Sequence, residues 1–258
     1  MKEMRRSKLK RFKYFIRTRI IYMRWKLFGK AVADFKRIPI IINNYNRLTT
    51  LKQLIESLEK RGYSNIHIID NASTYEPLLK YYETCPYNIF RLKDNVGHNS
   101  IWETGIYKKF RQSFYVYTDS DVIPHEACPD DFLEHFWRIM MRYKFATKVG
   151  FGLKIDDLPD TFDSKQYILD CESVYWKYEV EKDLYRAPID TTFALYRPFS
   201  KTNVNWYVQQ FRTVGDYIAV HLPWYNDSKN LSEEELYYIR SCSKSSTLGQ
   251  KDKGNLVG

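Results

Sequence analysis

The spacing of apolar side chains along the 258-residue chain changes character near residue 38. Before it, Leu9, Phe12, Ile16, Ile20, Met23 and Leu27 recur every three or four residues. On a helix they share a stripe about 80° wide, with Lys10, Lys13, Arg17 and Arg24 to one side. After it, short apolar runs alternate with helical spacing. Residues 37–42 predict a first buried strand, and the polar loop Asn43 to Arg47 follows. Leu48, Leu51, Leu54, Ile55 and Leu58 predict a helix that Gly62 closes in a left-handed cap. Residues 64–70 predict a second strand ending on Asp70, so strand, helix and strand form a βαβ unit with a right-handed crossover. A short strand over 88–92 precedes a helix marked by Ile101, Trp102, Gly105, Ile106 and Phe110. That helix leads into the β-favouring run 114–117, which ends in Asp119 and Asp121 before Pro124.

The second half continues the alternation. Phe132, Phe136 and Met140 predict a core-facing helix with Pro129 in its first turn. Residues 148–155 predict a strand, and 162–181 a helix carrying Tyr167, Cys171, Val174 and Tyr178. Residues 186–196 read as a loop feeding a strand, and 215–225 as a further strand. Ser232 with Glu235 is a capping box for a last short helix, and beyond Arg240 the polar, Ser-, Lys- and Gly-rich chain predicts disorder. The pattern predicts an α/β fold around a mostly parallel sheet. Residues 1–37 form a basic amphipathic arm, 38–240 a single catalytic-sized domain, and 241–258 a tail.

Charge sharpens this division. Residues 1–37 hold 14 Lys or Arg against Glu3 and Asp34, and the rest of the chain is nearly balanced against an overall +10. The basicity belongs to the arm, which argues against a nucleic-acid groove on the folded domain. A basic helix with a narrow apolar stripe suits an anionic membrane surface; packing on its own domain or on a second copy is the first alternative, and nucleic-acid binding through the arm the second. No apolar run in the arm approaches the roughly 20 residues that span a bilayer, and its interleaved bases do not resemble a cleaved signal. Cys85, Cys128, Cys171 and Cys242 have no metal-knuckle spacing and read as reduced thiols.

The candidate chemistry gathers at predicted strand ends. Asp119 and Asp121 form a local dianion, and in extended chain both carboxylates would leave one face. About one Asp-x-Asp is expected by chance among 17 Asp, so the triplet gains weight only from its place after an apolar strand. Two such carboxylates call for a hard divalent cation that carries substrate phosphates. Asn43, Asn44 and Asp70 end neighbouring strands, and a carboxylate such as Asp70 can accept from the imide N–H of a pyrimidine.

Ile38-Pro-Ile-Ile-Ile-Asn-Asn-Tyr-Asn-Arg47, Ile68-Ile-Asp-Asn-Ala-Ser73, Asn95-Val-Gly97 and Thr118-Asp-Ser-Asp-Val122 together resemble nucleotide-sugar-dependent glycosyltransferases of the GT-A fold, in the large bacterial family-2-like group. The resemblance spans about residues 38–225. It implies a UDP-sugar donor, Mn2+ or Mg2+, and a surface-glycan or lipid-linked acceptor, worked at the cytoplasmic face of a membrane. Carried over, Asp70 would bind the base, Asn95 and Gly97 would line the nucleotide pocket, Asp119 would meet ribose or metal, and Asp121 would hold the metal. His221 reads either as a further metal ligand or as a structural residue. Val220 stands where the resemblance expects Arg, so no phosphate contact is implied there. Asp190 is either a turn cap or the general base of an inverting displacement, with Glu172, Asp156, Asp157 and Asp216 as rivals. Trp224 and Tyr225 read as core residues or as a stacking surface for a sugar. A non-catalytic binding module with the same fold is the alternative from another class.

Overall fold

In the computed structural model the described residues are 2–202 and 204–242, with the side chains of 2–7 left aside. The polar tail predicted beyond Arg240 lies almost wholly outside them. The chain opens with helix α1 (Lys2–Phe28) and then alternates β1 (Ile40–Asn44), α2 (Thr49–Lys60), β2 (Ile66–Asp70), α3 (Glu76–Thr84) and β3 (Asn88–Arg91). Two short helices, α4 (Ser100–Glu103) and α5 (Tyr107–Phe110), lead to β4 (Tyr115–Asp119) and β5 (Val122–Pro124). The second half runs α6 (Phe132–Arg142), β6 (Lys148–Leu153), α7 (Lys165–Ser173), β7 (Glu179–Glu181), β8 (Leu184–Arg186), β9 (Ala194–Tyr196), β10 (Gln210–His221) and α8 (Glu233–Ser241).

All ten strands join one sheet in the order β3-β2-β1-β4-β9-β6-β10-β8-β7, with β5 paired to β10. β3, β2, β1 and β4 are mutually parallel, and β6 runs parallel to β10. The antiparallel β9 is inserted between β4 and β6. Ile40, Ile41 and Ile42 are fully buried because β1 is central and covered on both faces. Burial of each contributes about 1.5–3 kcal/mol. On one face α2, α3 and α6 supply Leu51, Leu54, Leu78, Phe132 and Phe136 to the main core. On the other, Ile41, Tyr115, Tyr117 and Tyr196 meet Trp102 and Phe110 from α4 and α5.

Several expectations change. The helix expected through Gly105 is broken there, because Gly105 adopts a left-handed φ of 77° that no helix contains. α6 begins at Phe132, past Pro129, and its first helical bond runs from His135 N to Asp131 O. The helix expected over 162–181 ends at Ser173, and the chain goes on to pair β7 with β8. Tyr167, Cys171, Val174 and Tyr178 are exposed, so their spacing marked a solvent face, and Ile168 is the residue that docks α7. β10 starts earlier than expected and bends at a bulge between Thr213 and Ile218, where Gly215 takes φ 63°. The residues after His221 form a turn of 3-10 helix, not strand. α3 gave little signal, having only Leu78 and Tyr82 buried behind a proline in its first turn.

α1 does two things at once. Thr18 and Ile21 are buried, Trp25 packs edge-on to Phe114, and Tyr22 packs edge-on to Phe145. The helix therefore docks on its own domain through the face beside the predicted stripe. Leu9, Phe12, Ile16, Ile20, Met23 and Leu27 stay 41–69% exposed. No helix among the described residues is long and apolar enough to cross a membrane.

Candidate active site at the carboxyl ends of the parallel strands

Register brings the strand ends together. Asn44 lies opposite Asp70, and Asn43 opposite Asp119. Both asparagines were expected in a loop but end β1, so their side chains leave opposite faces. Asn43 Oδ1 accepts from Ser100 Oγ at 2.7 Å, and its Nδ2 donates to Asp119 Oδ1 at 3.4 Å. Asn44 Nδ2 donates to the Tyr82 hydroxyl at 2.9 Å.

Asp70 is buried and accepts from Ser73 N at 3.2 Å, which folds the loop after β2 back toward the sheet edge. Asn71 then ties in the 95–97 loop. Its Nδ2 donates to Gly97 O and its Oδ1 accepts from Val96 N, each at 2.9 Å. Asn95 Oδ1 accepts from Gly97 N at 2.9 Å, and Gly97 takes φ 81°. Asn71 thus holds the 95–97 loop beside the carboxyl end of β2, next to Asp70.

Asp119 and Asp121 do not leave the strand on one face. Ser120 and Asp121 form a turn instead of continuing extended, so the two carboxylates acquire separate partners. Asp119 accepts from Thr191 Oγ1 as well as from Asn43. Burial, then the nearby Asp121 charge, push its carboxyl up to about 8, against the pull of those two hydrogen bonds. Asp121 Oδ2 takes the Arg47 guanidinium and lies 3.6 Å from His221 Nε2.

His221 reaches Asp121 through pairing that lies 100 residues apart in sequence. β10 runs antiparallel to β5 with His221 opposite Val122, and Leu222 N donates to Asp121 O at 2.9 Å. The imidazole packs 4.6 Å from the Trp224 ring, and burial lowers its pKa, favouring the neutral ring. Trp224 is buried beneath it, which makes that residue a packing partner and not a stacking platform.

Two participants gave no sequence signal of their role. Arg47 is 3% exposed; it bridges Asp121 to Glu235 Oε1 at 2.6 Å and lies 3.7 Å above the Tyr238 ring. Glu235 was legible only as part of a capping box. The Ser232 hydroxyl does accept from Glu235 N at 3.2 Å, but the Glu235 side chain goes to Arg47. α8 thereby closes over the strand ends, tied also by Tyr45 OH to Ser241 O at 3.0 Å and Asn46 Nδ2 to Ser241 Oγ at 2.9 Å.

Asp190 sits on the approach to Thr191 with an exposed side chain, its backbone oxygen accepting from Lys148 Nζ at 3.3 Å. Three of its four rivals are paired with cations. Glu172 pairs with Arg212 at 2.8 Å, and Asp156 and Asp157 pair with Lys154 at 2.6 and 3.3 Å. Asp216 lies on the β10 bulge.

The donor set suits a divalent cation in part. Asp121 Oδ1 and His221 Nδ1 are buried without a hydrogen-bond partner, and a carboxylate oxygen with a neutral imidazole is a combination Mn2+ accepts. No cluster of three or more His, Cys, Asp or Glu is arranged for a metal among the described residues. Asp121 and His221 each keep a donor atom free for such a cation, and Arg47 already occupies the other Asp121 oxygen.

Residues 40–183, more than half of the chain, match the family model described as glycosyl transferase family 2. No curated protein matches the chain. Among solved structures it is similar to GalNAc-T7 with UDP, GalNAc and Mn2+ (13% identity, TM-score 0.43, 71% of this chain and 42% of that one). It is also similar to glucosyl-3-phosphoglycerate synthase from Mycobacterium tuberculosis in complex with phosphoglyceric acid (12%, 0.40, 66% and 62%). A third is TarS from S. aureus (17%, 0.35, 49% and 24%). The chain spans less than two thirds of each. The match over residues 40–183, on a sheet whose parallel strands end in Asp70 and Asp119, places the chain in glycosyl transferase family 2.

Proposed function

We propose that the protein transfers a sugar from a UDP-sugar to a hydroxyl of a surface-glycan or lipid-linked acceptor, with inversion, at the cytoplasmic face of a membrane. The observation that carries the reading is the register that sets Asn43, Asn44, Asp70 and Asp119 side by side at the carboxyl ends of β1, β2 and β4. Asp70, buried at the mouth, accepts from the imide N–H of the base. Asn43, Asn44, Asn95 and Gly97 line the nucleotide pocket, and Asp119 takes a ribose hydroxyl.

Asp121 and His221 hold Mn2+ or Mg2+, which when bound neutralises charge on the departing diphosphate. Asp190, exposed beside the Thr191–Asp119 contact, is open to the acceptor and takes its hydroxyl proton as general base. The apolar stripe of α1 holds the enzyme at the membrane surface.

Hydrolysis of UDP-sugars, followed before and after chelation and readdition of Mn2+, tests the reading. Asp121→Ala and Asp70→Ala are each expected to lower turnover at least about 100-fold in protein that still folds by circular dichroism, Asp121→Ala with a lowered Tm because Arg47 loses a buried partner. Turnover that survives both substitutions overturns the site assignment, and turnover indifferent to chelation overturns the metal.

A further inference from the structure

α1 and the body enclose a cleft of about 540 Å3 that none of the proposed site residues lines. Lys13, Arg17 and Arg24 enter it from α1, and Lys108, Arg111 and Lys201 from the body. No acidic residue lines it, and none of the six cations has an ion-pair partner among the described residues. Six cations held together without counter-charge repel one another, so the cleft favours an anion.

Its floor is apolar, made by Ile16, Ile20, Tyr107 and Phe199. Phe199 is held at φ 64°, a left-handed conformation costly for a bulky side chain, and its ring lies 5.1 Å beneath the Arg24 guanidinium. Its N–H donates to Arg111 O at 2.7 Å, which fixes that conformation at the cleft wall. Ile16 and Ile20 belong equally to the cleft and to the exposed row that runs from Leu9 to Leu27. The charged cavity therefore opens onto an apolar strip.

We propose that this cleft seats the phosphate headgroup of an anionic membrane lipid, whose acyl chains lie along the exposed face of α1. The proposal deepens the membrane-surface part of the function proposed above, and charge complementarity selects the occupant. A neutral lipid leaves the six cations unanswered, and a free phosphate leaves the apolar row uncovered.

The test is co-sedimentation of the full chain with phosphatidylcholine vesicles, alone or mixed with phosphatidylglycerol, without donor. Binding is expected only with the anionic lipid and is expected to weaken as salt screens it. Each cation removed near an anionic surface lowers partitioning about fivefold, so Lys108→Gln/Arg111→Gln/Lys201→Gln loses about a hundredfold. Lys52→Gln/Lys60→Gln/Lys229→Gln, which removes the same charge from α2 and from the loop before α8, away from the cleft, is expected to lose far less. Should the first triple variant fail to fold by circular dichroism, Lys13→Gln/Arg24→Gln on α1 is expected to lose about 25-fold.

Equal loss in both triple variants, equal binding to neutral vesicles, or complete displacement by millimolar inorganic phosphate would overturn the proposal. Asp121→Ala is expected to bind vesicles normally. Failure of donor turnover and failure of this cleft are therefore read separately.

Discussion

Replacing Arg47 with Met removes the one cation that answers two buried carboxylates at the mouth of the site. Arg47, 3% exposed, contacts Asp121 and Glu235, whose side chains are 13% and 10% exposed, and stacks over Tyr238. At an effective dielectric of ~20, each charge pair in contact gains about 4 kcal/mol, most of it offset by desolvation of the three groups. Deleting the shared partner forfeits the gain and keeps the desolvation, so Arg47→Met is expected to cost about 3–5 kcal/mol, or roughly 6–20 °C in Tm.

The loss depends on pH. Burial already raises the Glu235 pKa, and Arg47 is the largest influence pulling it down. Without Arg47 it rises further, so the native state retains a proton that the unfolded chain has released. Stability of the variant then falls as pH rises above the ordinary carboxylate range. Urea denaturation of wild type, Arg47→Met, Glu235→Gln and the double variant closes a thermodynamic cycle. A coupling of at least about 1 kcal/mol between the two sites is expected. A cost below about 1 kcal/mol for Arg47→Met, or additivity within about 0.5 kcal/mol, would refute the reasoning.

Two further outcomes are open to measurement. Asp119 is pushed up to about 8, so the native state binds its proton where the unfolded chain, with a carboxyl near 3.8, has lost it. Its contribution is full at acid pH and disappears as pH rises from about 4 to 8; Asp119→Asn is expected to flatten that slope in a series of urea midpoints. Ser232→Ala removes the one side-chain cap of α8, and is expected to cost about 1 kcal/mol and to speed amide exchange in α8 before the rest of the fold.

The sequence by itself determined the first half of this protein. Ile40 to Ile42 and the run around Ile66 to Ile69 are short and apolar almost throughout, as strands covered on both faces must be, and the Leu51-to-Leu58 row has the 3.6 period of a helix with one buried face, so together they specify a βαβ unit. Polar residues ending each apolar run then mark the sheet edge, which is why the positions of Asp70 and Asp119 at the carboxyl ends of β2 and β4 were legible in the sequence. Where burial was ambiguous, the pattern misled: the Tyr167-to-Tyr178 row has helical spacing yet faces solvent, and Gly105 breaks a helix that its neighbours favoured. Tertiary structure alone decided the partners. His221 meets Asp121 because β10 pairs with β5, and Arg47 meets Glu235 because α8 folds back over β1, contacts that span 100 and 188 residues. No local period encodes such pairings. They follow from how the sheet closes and from the need of each buried charge for a counter-charge, so only the folded chain reveals that the arginine after β1 sits on the carboxylate that would hold the metal.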